Sequence, residues 1–224
     1  MSKAVSFSRN SLYKKCPASY EWQYVLGHKE EFNPGPAALR GTRIHDSIEQ
    51  GFLMQSKEPF DPEIPEKVSL WLQEPLQDSI TGKCQAFPEM QFCLNAEWES
   101  VEFDAEDGYI RGFMDNVFVY ENRVHVHEYK TGRKYDEHAH QKQLYAMVCL
   151  LLYPDISEVT VEGIYIDSKE REATIYSRSH LTSMKYTWKR EIDRMFIPMY
   201  PARPGIQCRW CPKSSNKGGT CQVG

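Results

Sequence analysis

No stretch of this 224-residue chain is apolar for long enough to cross a bilayer. The longest purely apolar run is Leu144–Tyr153, against the roughly 20 residues a spanning helix needs. The opening MSKAVSFSRNSLYKKC holds neither an apolar run nor a small-residue cleavage site, so no secretory signal is read. Excess positive charge is also lacking. A net charge of -4 gives no global attraction to nucleic acid, and leaves only local clusters at Arg9/Lys14/Lys15, Arg40/Arg43, Arg133/Lys134, Lys185/Lys189/Arg190 and Arg203–Lys217. No GxxxxGK[ST] loop occurs, which argues against an ATP-driven motor. Internal repeats and low-complexity segments are missing too. The expectation is a soluble cytoplasmic protein with no membrane partner.

What is present fits an ordinary globular domain. Apolar residues make up 41% of the chain and charged residues 26%, and a single core at this length buries roughly 70% of the unfolded surface without any staple. The seven cysteines are an odd number in a chain without an export signal, so a disulfide framework is a poor reading. Cys84, Cys93 and Cys149 lie in apolar or strand-like surroundings and read as buried free thiols. Cys16, Cys208, Cys211 and Cys221 do not.

The spacing of apolar residues predicts a helix from Ser8, as N-cap, to about Leu26. After a break at Asn33-Pro34-Gly35-Pro36, a second helix is expected from Ala37 to about Met54. A proline-rich connection over Pro59–Pro65 leads to a third over Lys67–Ile80. Strand patterns follow at 88–94, 97–103, 108–120 and 123–130. A helix over Ala139–Leu152, strands at Val159–Ile166 and Glu172–Tyr176, and a helix from Leu181 to about Phe196 complete the pattern. The Pro/Gly/Cys-rich tail from Pro198 has no core pattern of its own. This order indicates a mixed α/β domain with flanking helices.

The most informative stretch is Tyr109–Gly132. A two-residue turn at Glu121-Asn122 places Tyr120 opposite Arg123, Val117 opposite Val126, and Asp115 opposite Glu128. Because side chains alternate along a strand, Asp115, Val117, Val119, Val124, Val126, Glu128 and Lys130 share one face. Like charges directly opposed destabilise a ladder, and a divalent cation together with Lys130 would compensate them. The plainer alternative is a solvent-facing sheet edge with a surface ion pair. His125 and His127 alternate with the valines, point away from this site, and are not read as its ligands. Gly112 marks a close backbone approach within the strand.

These residues carry a family resemblance. Gly112-Phe113-Met114-Asp115 followed by Glu128-Tyr129-Lys130-Thr131-Gly132 resembles the GxxD…ExKTG core of the PD-(D/E)XK nucleases in their RecB-like branch. Arg40-Gly41-Thr42-Arg43-Ile44-His45 is similar to that branch's RGxxxH motif, and Gln141 through Tyr145 to its QxxxY motif. Ser8-Arg9 with Cys16-Pro17 and Tyr20 resembles its SxSR…CPxxY opening. Five motifs in the family's order span nearly the whole chain. The fold implied is restriction-endonuclease-like, a mixed α/β central sheet flanked by helices. It would form one nuclease domain, with an N-terminal segment 1–36, a core 37–197 and a Cys-rich tail 198–224.

The resemblance implies that Asp115, Glu128 and Lys130 are catalytic, and that Asp115, Glu128, His45 and the Tyr129 carbonyl bind Mg²⁺ or Mn²⁺. That ion would activate a water and steady the phosphate charge, while Lys130 would orient the attack. Gln141, Tyr145, Arg9 and Arg40 would be DNA-binding or accessory residues, although Tyr145 also fits an apolar stripe with Leu144, Val148 and Leu152. Glu89 matches an acidic position of some relatives, and Glu49 reads as a solvated helix residue. Tyr13, Tyr20, Trp22 and Tyr24 have a stacking role on unpaired bases available to them, or are core.

The three tail cysteines after Cys16 resemble the iron–sulfur subset of this branch, including the AddB nuclease domain and the CRISPR adaptation nucleases. A [4Fe–4S] cluster on Cys16, Cys208, Cys211 and Cys221 is implied, with tetrahedral Zn²⁺ as the alternative. The function implied is a metal-dependent deoxyribonuclease acting on DNA ends or single strands, in recombination, repair or CRISPR adaptation, with a viral origin also compatible. A recombination or CRISPR partner protein and a homo-oligomer are compatible with it. The alternatives are a non-cutting DNA-end-binding protein and a zinc-stabilised interaction domain.

Overall fold

The computed structural model describes residues 4–28, 34–56, 60–135 and 137–221. Asn33 of the expected break and Pro59 of the proline-rich connection lie outside them. The described residues form two compact units: one within 34–185, the other combining 4–28 with 186–221.

The first unit is built on a five-stranded sheet in the order β1 (Cys84–Leu94), β2 (Ile110–Tyr120), β3 (Val124–Lys130), β4 (Glu158–Tyr165), β5 (Glu170–Ser177). All neighbours are antiparallel except β3 and β4. A parallel pair requires a crossover, and helix α5 (Glu137–Leu152) supplies it. Its long apolar stretch is buried from Leu144 to Leu150, the expected pattern for a helix enclosed by its surroundings. Helix α3 (Pro36–Leu53) starts on a proline, whose missing N–H costs nothing in a first turn. It buries Ile44, Ile48 and Phe52, four residues apart. Helix α4 (Glu66–Ile80) buries Val68, Leu72 and Leu76 at the same interval. These residues meet Phe118, Tyr129 and Ile164 of the sheet in one apolar cluster. No helix among the described residues is long and apolar enough to cross a membrane.

The β2–β3 hairpin has the register read from the sequence. Asn116 pairs with His127, Val117 with Val126 and Val119 with Val124. The Tyr120 N–H closes the turn on the Arg123 carbonyl at 2.9 Å. Regular pairing stops short of Asp115 and Glu128, where the candidate site begins. At Gly112 a Cβ would lie 3.0 Å from the Phe92 ring, the residue's own strand partner. What lies close there is an aromatic ring rather than the backbone approach expected.

One expected strand is absent. Residues 97–103 are irregular, with one isolated bridge from Ser100 to Leu94, because the Asn95 side chain accepts from the Glu97 and Glu99 N–H groups at 3.1 and 2.8 Å. This Asx-type capture competes with a ladder, and Trp98 turns to a φ of 70°.

The second unit corrects the first helix. Instead of one helix over Ser8–Leu26 there are α1 (Phe7–Lys15), α2 (Pro17–Tyr20) and a π turn over Glu21–Val25. Pro17 forces the break: a residue before proline is pushed out of the helical region, and Cys16 is extended, with φ -158°. The N-cap is Ser6 rather than Ser8, accepting from the Arg9 N–H at 3.3 Å. Later in this unit come the end of α6 (Leu181–Phe196) and two short 3-10 turns. The chain's two ends are tied by polar contacts within the unit. Tyr13 donates to the Arg194 carbonyl at 3.0 Å, Arg203 to that of Lys14 at 2.7 Å, and Lys213 to that of Ala18 at 3.4 Å.

Candidate active site

The site lies where β2 and β3 diverge. Asp115 Oδ2 accepts the Tyr129 backbone N–H at 2.7 Å, which replaces the ladder bond lost there and fixes the carboxylate. Its other oxygen stands 3.6 Å from His45 Nδ1 on α3. Across the β1–β2 ladder, Glu89 falls between the pairs Pro88–Asn116 and Met90–Met114, directly facing Asp115. Its φ of 47° is left-handed, a conformation that side chains other than glycine rarely adopt. Ligand atoms of His45, Glu89 and Asp115 all lie within 4.8 Å of one another.

On β3, Glu128 is buried, 6% exposed. One of its oxygens takes a hydrogen bond from Lys130 Nζ; the other, Oε2, is buried with no hydrogen-bond partner. Lys130 also donates to Gln141 Oε1 at 3.1 Å, and Gln141 Nε2 donates to the Tyr145 hydroxyl at 2.7 Å. Gln141 and Tyr145 sit one turn apart on α5, so both reach the same side. Tyr145 is buried, and therefore serves the core and the polar chain at once.

The charges do not balance. Burial first, then the neighbouring Asp115, push the Glu128 carboxyl up to about 7. The same two causes push Glu89 up to about 7. Burial alone would lower His45, but its hydrogen bond to Asp115 and the charges of Asp115, Glu128 and Glu89 hold it above the usual imidazole range. Burial likewise opposes the Lys130 charge, and Glu128 more than restores it. Three carboxylates with one lysine and one imidazole are short of positive charge.

The remaining sequence candidates are placed as follows. Arg40 uses its guanidinium on Glu63 at 2.6 Å and Asp167 at 2.8 Å. Arg43 pairs with Asp61 at 2.8 Å and with Glu63. In the second unit, Arg9 donates to the Ala4 carbonyl at 2.9 Å and covers the Tyr24 ring. Cys16, Cys208, Cys211 and Cys221 all line one cavity of about 280 Å³ in that unit, and all are free thiols. Cys84, Cys93 and Cys149 are buried away from it. Sequence reasoning missed Tyr165 and His138, which lie in contact at 3.2 Å, with Tyr165 the parallel-ladder partner of Lys130.

A family model describing the PD-(D/E)XK nuclease superfamily matches residues 4–215. The chain belongs to the PD-(D/E)XK nuclease superfamily. Its five-stranded mixed sheet with flanking helices is the restriction-endonuclease-like α/β fold. Among solved structures, a protein of Eubacterium rectale assigned as an exonuclease is similar at 11% identity and a TM-score of 0.48, over 86% of this chain and 80% of that one. The protein SSO0001 is similar at 16% identity and a TM-score of 0.39, over 92% and 95%. No curated protein matches the sequence.

Proposed function

We propose that the protein is a divalent-metal-dependent deoxyribonuclease, an exonuclease working on DNA ends or single strands in recombination, repair or CRISPR adaptation. The observation that carries this reading is Glu128 Oε2, a buried carboxylate oxygen without a partner, beside a cluster already short of positive charge. Asp115, Glu128, Glu89, His45 and the Tyr129 carbonyl would hold the ion. An oxygen-rich set with one imidazole suits Mg²⁺ or Mn²⁺. Such an ion lowers the pKa of a water and neutralises phosphate charge. The protein's own part is positional: the Tyr129 N–H fixes Asp115, and Glu128 with Gln141 aims Lys130 at the charge that develops during attack.

Cleavage of end-labelled single- and double-stranded DNA by anaerobically purified protein tests this. Cutting is expected with Mg²⁺ or Mn²⁺ and not with EDTA, and the label released gives the polarity. Intact DNA after incubation with folded, metal-supplied protein would turn the reading to DNA-end binding without cleavage.

Two smaller effects follow from the polar chain and the charge imbalance. Gln141→Ala leaves Lys130 held by Glu128 alone, so kcat should fall roughly 10–100-fold with KM little changed, since small misplacements of an oriented group are costly. An equal rise in KM would assign Gln141 to DNA binding instead. For pH, Glu89 and Glu128 have folded values near 7 against about 4.5 when unfolded. The folded state therefore binds more protons between those values, and the metal-free protein loses stability as pH rises through that window. Mg²⁺ should therefore raise Tm more at pH 8 than at pH 5.5. Equal shifts at both pH values would remove these carboxylates from the metal site.

The second unit would carry a structural metal on Cys16, Cys208, Cys211 and Cys221. By resemblance that metal is a [4Fe–4S] cluster, with tetrahedral Zn²⁺ as the alternative.

A further inference from the structure

The strand that carries Glu128 and Lys130 has a second cluster on its other face. His125 and His127, two residues apart on β3, project to the same side. Glu162 on β4 is the ladder partner of His127. His125 Nε2 lies 3.3 Å and His127 Nε2 3.4 Å from the same carboxylate oxygen, Glu162 Oε2. His127 and Glu162 are 3% and 6% exposed. His125 Nε2 is buried, with the Glu162 carboxylate as the polar group it faces. The other Glu162 oxygen faces Arg171 Nε at 3.6 Å, and the Arg171 guanidinium is itself held over the Trp71 ring.

We propose that His125, His127 and Glu162 form a second metal site, for a zinc-class transition ion, on the sheet face opposite the nuclease site. Zinc bonds to nitrogen and oxygen at about 2.0–2.1 Å, so ligand atoms on a tetrahedral edge stand roughly 3.3–3.4 Å apart. The two ring nitrogens have that spacing from Oε2. Two imidazoles and one carboxylate select zinc-like ions over Mg²⁺, which separates this ion from the one at Asp115. Arg171 takes the free carboxylate oxygen and so orients the ligand, as outer partners of metal ligands do. The His125 side chain remains 26% exposed, leaving a solvent-side position for the fourth ligand. Bound there, zinc would lock β3 to β4 directly behind Glu128 and Lys130.

The full chain, with its cysteine site loaded, is equilibrated with Zn²⁺, desalted into Mg²⁺ buffer, and assayed for zinc and iron together. Wild type should retain one zinc equivalent more than His125→Ala. The lost ligand should weaken binding by more than the roughly 10–100-fold that loss of an outer partner costs. Co²⁺ should give visible d–d bands at this site without thiolate charge transfer, absent in the variant. His125→Gln keeps the volume and a hydrogen-bond donor. It should match the metal-free Tm of wild type yet miss the roughly 5–10 °C rise expected at zinc 100-fold above Kd. Equal zinc content in wild type and His125→Ala, or an equal zinc-dependent Tm rise in His125→Gln, would overturn the proposal and leave a hydrogen-bonded His–Glu cluster.

Discussion

Asp115→Asn should lower metal-dependent DNA cleavage by at least about 10³-fold, or on the order of 4 kcal/mol of barrier, in a chain that still folds. Asparagine keeps the shape of the side chain, and its amide oxygen can still accept the Tyr129 N–H now bound at 2.7 Å. What disappears is the negative charge facing His45 and Glu89, and with it the divalent ion they would share. The same change relieves Glu128, whose carboxyl is raised second by Asp115 after burial. The variant should therefore be more stable than wild type at pH 8 when both are stripped of metal, while being inactive. That opposite movement of stability and activity marks a site that holds mutually repelling charges for function. Lys130→Ala should lose on the order of 10²–10³-fold with Mg²⁺ affinity kept. An Asp115→Asn protein that cuts at the wild-type rate would remove the proposed site altogether.

Cys16→Ser should cost the second unit about 3 kcal/mol, roughly a quarter of the 10–16 kcal/mol typical of a four-thiolate structural metal. For a chain of this size that is a fall in Tm of roughly 6–12 °C, with loss of bound metal and early proteolysis within residues 198–221. The expectation rests on position: Cys16 is extended at the break between α1 and α2, and lines the same cavity as the three tail thiols. Cys84→Ser is the control, because that thiol is buried outside the cavity. Iron and sulfide analysis of the wild type distinguishes cluster from zinc. Equal losses in Cys16→Ser and Cys84→Ser would mean that only packing is felt.

The hairpin was legible because two independent signals agreed: alternation of valines with polar residues, and a two-residue gap at Glu121-Asn122. Its observed register follows directly. The helix at the start was misread because apolar spacing continued through Cys16 although Pro17 forbids helical backbone there. Segment 97–103 alternates like a strand, but Asn95 closes a local turn, and a short-range hydrogen bond outweighs a weak pattern. In the site, Asp115, Glu128, Lys130, Gln141 and Tyr145 were found by motif, and the structure brings them together. Glu89 was only a weak candidate, since nothing local says that it will face Asp115 across a ladder. The partner of His125 and His127 was invisible for a related reason. Glu162 reaches them only because a helical crossover returns β4 parallel to β3, which no local spacing records.

The left-handed backbone at Glu89 has a consequence for how this protein would change under selection. Glycine adopts that conformation freely, so Glu89→Gly should relieve strain on the order of 1 kcal/mol and remove one of three crowded carboxylates. A library sorted only for heat resistance would therefore enrich glycine at this position, and the enriched clones would be poor enzymes. Lineages that keep glutamate there do so against a standing thermal advantage, and the residue retained at position 89 reports whether cleavage is still under selection.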